Sequence, residues 1–217
     1  MTQETEAEAA RSFMYVYLVY EQPRQSPKLT LNSTAANQRN SPLLRLPAEL
    51  RNRVYEYALG SRTLMISTLD EKPYLLSSED VPAVTLLGAC SQIHAETAIL
   101  PYSLNTFKFN TLYIVQTFLT SMYRSQIQAI KLLEMECSTI SVYSASCLSS
   151  CLIQFRGLQE LRMDGSGKAR MWTEYDKDKI RYVSRLLRHT MPNVRIWTWD
   201  MTIGACEKIW NPPPWIW

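Results

Sequence analysis

Leu104-Asn105-Thr106-Phe107-Lys108-Phe109 carries apolar residues at its first, fourth and sixth positions. The same spacing returns in Ile127-Gln128-Ala129-Ile130-Lys131-Leu132, in Leu158-Gln159-Glu160-Leu161-Arg162-Met163 and in Met191-Pro192-Asn193-Val194-Arg195-Ile196. In every copy the last two apolar residues flank one polar residue, the alternation of a strand with one buried face. Between the copies, apolar residues recur at helical spacing: Leu112, Val115, Leu119 and Met122, then Val142, Leu148, Cys151 and Phe155, then Ile180, Val183 and Leu187. Strands that alternate with helices must pair in parallel, because each return passes through a crossover. Residues 104–203 therefore read as an α/β unit, an irregular parallel sheet of about four strands with helices on one face.

An open parallel array needs cover at its first strand, and residues 42–103 precede it. Within them, Leu43 to Gly60 reads as a bounded helix. Pro47 suits its first turn, Glu49 complements the positive end of the dipole, and Gly60 can end it. Leu50, Val54 and Tyr57 or Ala58 form one apolar stripe along this helix. Two short runs with strand character follow, Arg62 to Thr68 and Pro73 to Leu76, separated by Asp70-Glu71-Lys72 as in a small hairpin. A second helix is expected from about Asp80 and Pro82 to Leu100, just before Pro101. Its Glu96 lies among small and apolar neighbours, where a lone carboxylate needs a cation, and Arg51 or Arg53 of the first helix is the expected partner. That pair would fix how the two helices cross.

The chain has 217 residues, 46% of them hydrophobic, enough for a true core, and its formal charge of +3 is mild. A dedicated nucleic-acid binder would be far more basic, so nucleic acid is not the expected partner. Phe13 to Tyr20 is too short to cross a bilayer and follows an acidic flank, so neither an anchor nor a signal peptide is expected. Glu21 to Ser41 reads as a linker that completes an N-terminal extension over residues 1–41. Residues 204–217 form a tail that ends in a stiff proline run and two tryptophans. Cysteines at 90, 137, 147, 151 and 206 show no metal-ligand spacing, and only His94 and His189 are present to help them. Reduced thiols in a cytoplasmic or nuclear compartment follow, with no metal and no cofactor expected.

Two blocks, Leu43 to Gly60 and Leu86 to Phe109, resemble the fungal F-box-like proteins. The resemblance lies in the Leu46-Pro47-Ala48-Glu49-Leu50-Arg51 helix, the Cys90-Ser91-Gln92-Ile93-His94-Ala95-Glu96 helix and the Asn105-Thr106-Phe107 strand. The alternation behind them is similar to leucine-rich repeats. The resemblance implies a substrate-recruiting adaptor of a cullin ubiquitin ligase, docked on the Skp adaptor through Leu46, Pro47, Leu50 and Val54. In this chain Ser61 to Glu79 stands where the ordinary module has a short connection. Leu50 and Val54 thus have an alternative duty, burial against the second helix. The corresponding alternative function is a free-standing structural or recognition protein that has lost ligase docking.

The repeat also aligns Lys108, Lys131, Arg162 and Arg195 between the paired apolar residues of the four copies. These would form a basic row on the face opposite the core, with Trp197 and Trp199 beside it. Such a row is either neutralised by Glu134, Glu160 and Asp164, or it attracts an acidic or phosphorylated protein partner. Patterns of catalysis are weak. Asp164-Gly165-Ser166-Gly167-Lys168 lacks the spacing of a phosphate loop, and His94-Ala95-Glu96 lacks the cysteines of a deaminase metal shell. A non-enzymatic interaction protein is the expectation.

Overall fold

The computed structural model describes residues 39–69, 72–75, 86–136, 145–164, 182–183, 185–200 and 205–208. The run from Phe13 to Tyr20, most of the linker, the first part of the expected second helix, Cys137 and the proline and tryptophan tail lie outside them. Helix α1 spans Ala48–Leu59, followed by the hairpin β1 (Thr63–Leu69) and β2 (Lys72–Leu75). A single turn at Leu86–Gly88 leads to α2 (Ser91–Thr97) and α3 (Leu100–Leu104). Then come β3 (Thr106–Phe109), α4 (Leu112–Ser121), α5 (Arg124–Ala129) and β4 (Leu132–Glu136). Helix α6 (Ala145–Leu152), β5 (Glu160–Asp164), a helical stretch at residues 185–190, β6 (Arg195–Asp200) and β7 (Ala205–Lys208) complete the order.

The strands form one seven-stranded sheet in the order β2-β1-β3-β4-β5-β6-β7. Its middle is parallel and strictly sequential, from β1 through β3, β4 and β5 to β6, and antiparallel β2 and β7 close the edges. The α/β expectation is met, with additions at both ends: the hairpin at the start, and β7, from residues expected to belong to the tail, at the far edge. The hairpin is not an appendage of the helical unit: β1 pairs in parallel with β3, Thr63 beside Thr106 and Leu64 beside Phe107. The turn at Leu86–Gly88, α2 and α3 thus lie between two neighbouring parallel strands, as the elements of a crossover do.

Inward residues alternate along each strand, as half-buried strands require. Leu64, Ile66, Phe107, Phe109, Leu133, Met135, Leu161, Met163 and Ile196 are buried, together with Val115 and Phe118 of α4, Leu148 and Leu152 of α6, and Val183 and Leu187. The helices thus cover one face. Phe118 sits over both inward rings of β3, at centroid distances of 5.8 Å from Phe107 and 5.2 Å from Phe109. Close backbone approach fixes Gly157, where a Cβ would fall 2.0 Å from the Gln128 carbonyl oxygen at the end of α5.

A smaller core joins Leu44, Tyr55, Leu59, Leu87 and Ile93 in the helical unit. Helix α3 links the two cores, since Tyr102 stacks on Phe107 at 5.9 Å while Leu100 packs on the helical side. Pro101 does not follow the second helix as expected but occupies the first turn of α3, where its missing N–H is no loss. Buried Asn105 is the joint between the units. Its Nδ2 donates to the carbonyl oxygens of Leu59 (2.6 Å) and Pro101 (2.8 Å), and its Oδ1 accepts from the Arg62 N–H at 2.9 Å. One amide side chain thereby ties the ends of α1 and α3 to the entry of β1.

Candidate functional site

Helix α1 starts at Pro47, whose carbonyl accepts from the N–H groups of Leu50 (3.0 Å) and Arg51 (3.1 Å). It carries apolar residues on two sides. Tyr55 and Leu59 are buried against the helical core. On the other side Leu50 is 45% exposed, Val54 43% and Tyr57 92%. Pro47 is exposed as well, and Leu46 is half-buried. Burial of Leu50 and Val54 against the second helix, one of their two expected duties, does not occur, because Tyr55 and Leu59 do that work. Residues 47, 50, 54 and 57 instead form an outward stripe of three turns. Tyr57 extends it beyond the four residues marked by the motif, and its spacing from Leu50 is the signal that finds it.

A charged clamp between α1 and α2 sets the position of this stripe. Arg51 grips Glu96 with both arms, Nε to Oε2 at 3.0 Å and Nη2 to Oε1 at 2.7 Å. Its remaining arm, Nη1, donates to the Leu46 carbonyl at 2.7 Å and so fixes the Leu-Pro entry of the stripe. Tyr55 Oη (2.9 Å) and Gln92 Nε2 (3.1 Å) also donate to the Glu96 carboxylate. Held first by the Arg51 guanidinium, against the opposing effect of burial, Glu96 is lowered to about 2 and stays ionised. Burial, then the hydrogen bond to Glu96, pushes the Tyr55 hydroxyl up to about 12, so it remains a donor. Of the two arginines expected to pair with Glu96, Arg51 does so and Arg53 is exposed.

The second surface is the sheet face away from the helices. Here the expected basic row is not formed. Lys108 lies beside Glu134, Glu134 beside Arg162, and Arg162 beside Trp197. Lys131 precedes β4 by one residue, and Arg195 lies beside Glu160. The error is one of register. In Ile130-Lys131-Leu132-Leu133 two adjacent leucines allow either phase, and the phase that buries Leu133 and Met135 is the one adopted. In the fourth copy the strand slips by two residues, which preserves the faces but moves the partners. Opposite charges meet as a result: Lys108 Nζ is 2.6 Å from Glu134, Arg162 Nε 2.7 Å from Glu160, and Arg195 Nη2 3.5 Å from Glu160. Half-buried Trp197 shares this face, while the side chains of Trp199 and Asp164 are outside the described residues.

Among the described residues no group of three or more His, Cys, Asp or Glu side chains could hold a metal ion. Cys151 is buried in the sheet core, and burial, with neighbouring Cys147 adding to it, pushes its thiol up to about 11. No described helix is long and apolar enough to cross a membrane. Comparison of the chain with protein-family models, with curated proteins and with solved structures finds no match.

Proposed function

We propose that this chain is an F-box-like adaptor, in which residues 42–103 dock on the Skp adaptor of a cullin ubiquitin ligase and the sheet unit presents a substrate. The observation that carries this reading is the outward stripe of Pro47, Leu50, Val54 and Tyr57. A helix that buries Tyr55 and Leu59 against its own core and still leaves Leu50 and Val54 nearly half exposed and Tyr57 almost wholly so has the form of an interface element. The rigid clamp of Arg51 on Glu96 and on the Leu46 carbonyl also favours docking, because a surface held in place loses little freedom on binding.

One observation favours the second reading, a free-standing structural or recognition protein. Strand β1 is continuous with the sheet, so the helical unit also caps the array and could be retained for that purpose alone. Co-purification separates the two readings. The full chain should retain the Skp adaptor on a column, and Leu50→Lys with Val54→Lys should release it while the circular dichroism melt is unchanged. A folded wild-type chain that never retains the adaptor leaves the structural role.

A further inference from the structure

We infer that the chain associates with a second copy of itself through the outer face of α4 and α6, in an antiparallel twofold contact between two helix layers. The inference does not rest on ligase docking, which concerns the outward stripe of α1. Asp, Glu, Lys and Arg make up 20% of the chain, yet none occurs from Phe109 to Tyr123 or from Cys137 to Phe155. Those two stretches contain α4 and α6, which cover the sheet with Val115, Phe118, Leu148 and Leu152 and turn their other sides to solvent. On that side lie Tyr113, 53% exposed, with Gln116 and Thr120 of α4, then Ser146 and Ser150 of α6 and, just after it, Ile153, 51% exposed. Gln116 Nε2 donates to Cys147 Sγ at 3.1 Å, so the two helices are neighbours and these residues belong to one surface. Solvent-facing helices are ordinarily charged, as α1 is with exposed Glu49, Arg53 and Glu56.

A charge-free centre with charge at its border is the composition of an interface. Exposed Arg124 follows α4 and exposed Arg156 comes shortly after α6, so charge resumes where the face ends. Tyr113 and Ile153 supply large apolar side chains that can anchor the contact. The chemistry of the polar residues selects the occupant. Serine, threonine and glutamine side chains each donate and accept hydrogen bonds, so each can pair with its own copy, whereas an ionised group set against its copy is repelled. A partner of another sequence sets no such condition and is ordinarily matched by opposite charge. The direction of the contact follows from the same residues. Helices α4 and α6 both lie in crossovers between parallel strands and run the same way, and both arginines lie beyond C-terminal ends. An antiparallel contact therefore keeps the arginines of the two copies at opposite ends, and it brings opposite ends of the helix dipoles together.

The test is sedimentation velocity of the full chain from about 1 to about 100 μM, with hydroxyl-radical footprinting at both extremes. The mass should rise from that of one chain to that of two, and Tyr113 should lose reactivity as it does so while Tyr57 of α1 keeps its own. Gln116→Lys with Ser150→Lys should raise the dissociation constant about tenfold or more and leave the circular dichroism melt unchanged, since both positions are exposed. Gln116→Glu with Ser150→Glu should do the same, and a mixture of the two double variants should associate more tightly than either alone. If the variants fail to fold, the mass and footprint of the parent decide. A chain that stays monomeric throughout, or an undiminished dimer in the folded lysine variant, would overturn the proposal. So would a Tyr113 protected equally at every concentration, because another segment of the same chain would then cover the face.

Discussion

The two units distribute charge and apolar surface in opposite ways. In the sheet unit, Phe107, Phe118, Leu133 and Leu161 are fully buried, and Lys108, Glu134, Arg162 and Arg195 occupy the outer face. In the helical unit the ionic group lies between two helices, where Glu96 accepts from Arg51, Tyr55 and Gln92, while Leu50, Val54 and Tyr57 face outward. A sheet of this kind is stable by virtue of its core. The helical unit has a core of five buried apolar residues and leaves Leu50, Val54 and Tyr57 outside it. The difference separates a scaffold from a contact surface, and it can be broken by substitution.

The largest expected effect is in the sheet. Phe118→Ala removes a ring that contacts both Phe107 and Phe109 from a site with no exposure, and should destabilise the protein by about 4 kcal/mol in denaturant titration. Next is the joint. Asn105→Ala strands the Leu59 and Pro101 carbonyl groups and the Arg62 N–H, and should cost about 3 kcal/mol. Because Asn105 ties the two units, this variant should also expose α1 to faster hydrogen exchange than β4. If the two exchanged alike, the helical unit would have no stability distinct from that of the sheet.

How much of this was legible in the chain depended on whether the cause was local. The inward parity of Phe107 with Phe109 and of Leu161 with Met163 follows from alternation alone, and so does the parallel order. Register did not follow, because Leu132 and Leu133 fit either phase and only pairing with β3 and β5 decides. The pairing of Glu96 with Arg51 was legible because a carboxylate among small and apolar neighbours demands a cation. The role of Asn105 was not, since an asparagine before a strand reads as an ordinary turn residue and its partners are remote carbonyl groups. Which side of α1 is buried was also hidden, because Leu50 and Val54 are as apolar as Tyr55 and Leu59.

The clamp gives a smaller effect with its own pH signature. Glu96→Gln keeps the shape but places an amide N–H₂ against donors, and should destabilise by about 1–2 kcal/mol, discounted because the site is partly open to water. Glu96 titrates at about 2 in the folded protein against an ordinary value of 4.5. A depressed carboxylate contributes stability that is fully present above the unfolded value and is lost as pH falls through the folded one. The gap between parent and Glu96→Gln in urea titrations should therefore be constant at neutral pH and narrow from about pH 4.5 downward. A gap that persisted unchanged to pH 2 would mean that the carboxylate is not held by Arg51.

The smallest stability effect is expected where the functional effect is greatest. Leu50 and Val54 are nearly half exposed, so Leu50→Lys with Val54→Lys should move folding stability by no more than about 0.5 kcal/mol. Lysine is also a good helix former, and its stem can lie along the same surface. If the stripe is an interface, however, two ammonium groups would have to be desolvated on binding, and partner retention should fall by more than a hundredfold. The ratio of these two numbers is what defines a contact surface. A double variant that lost several kcal/mol of stability would instead show that Leu50 and Val54 belong to the core of the helical unit, and the contrast with the sheet would vanish.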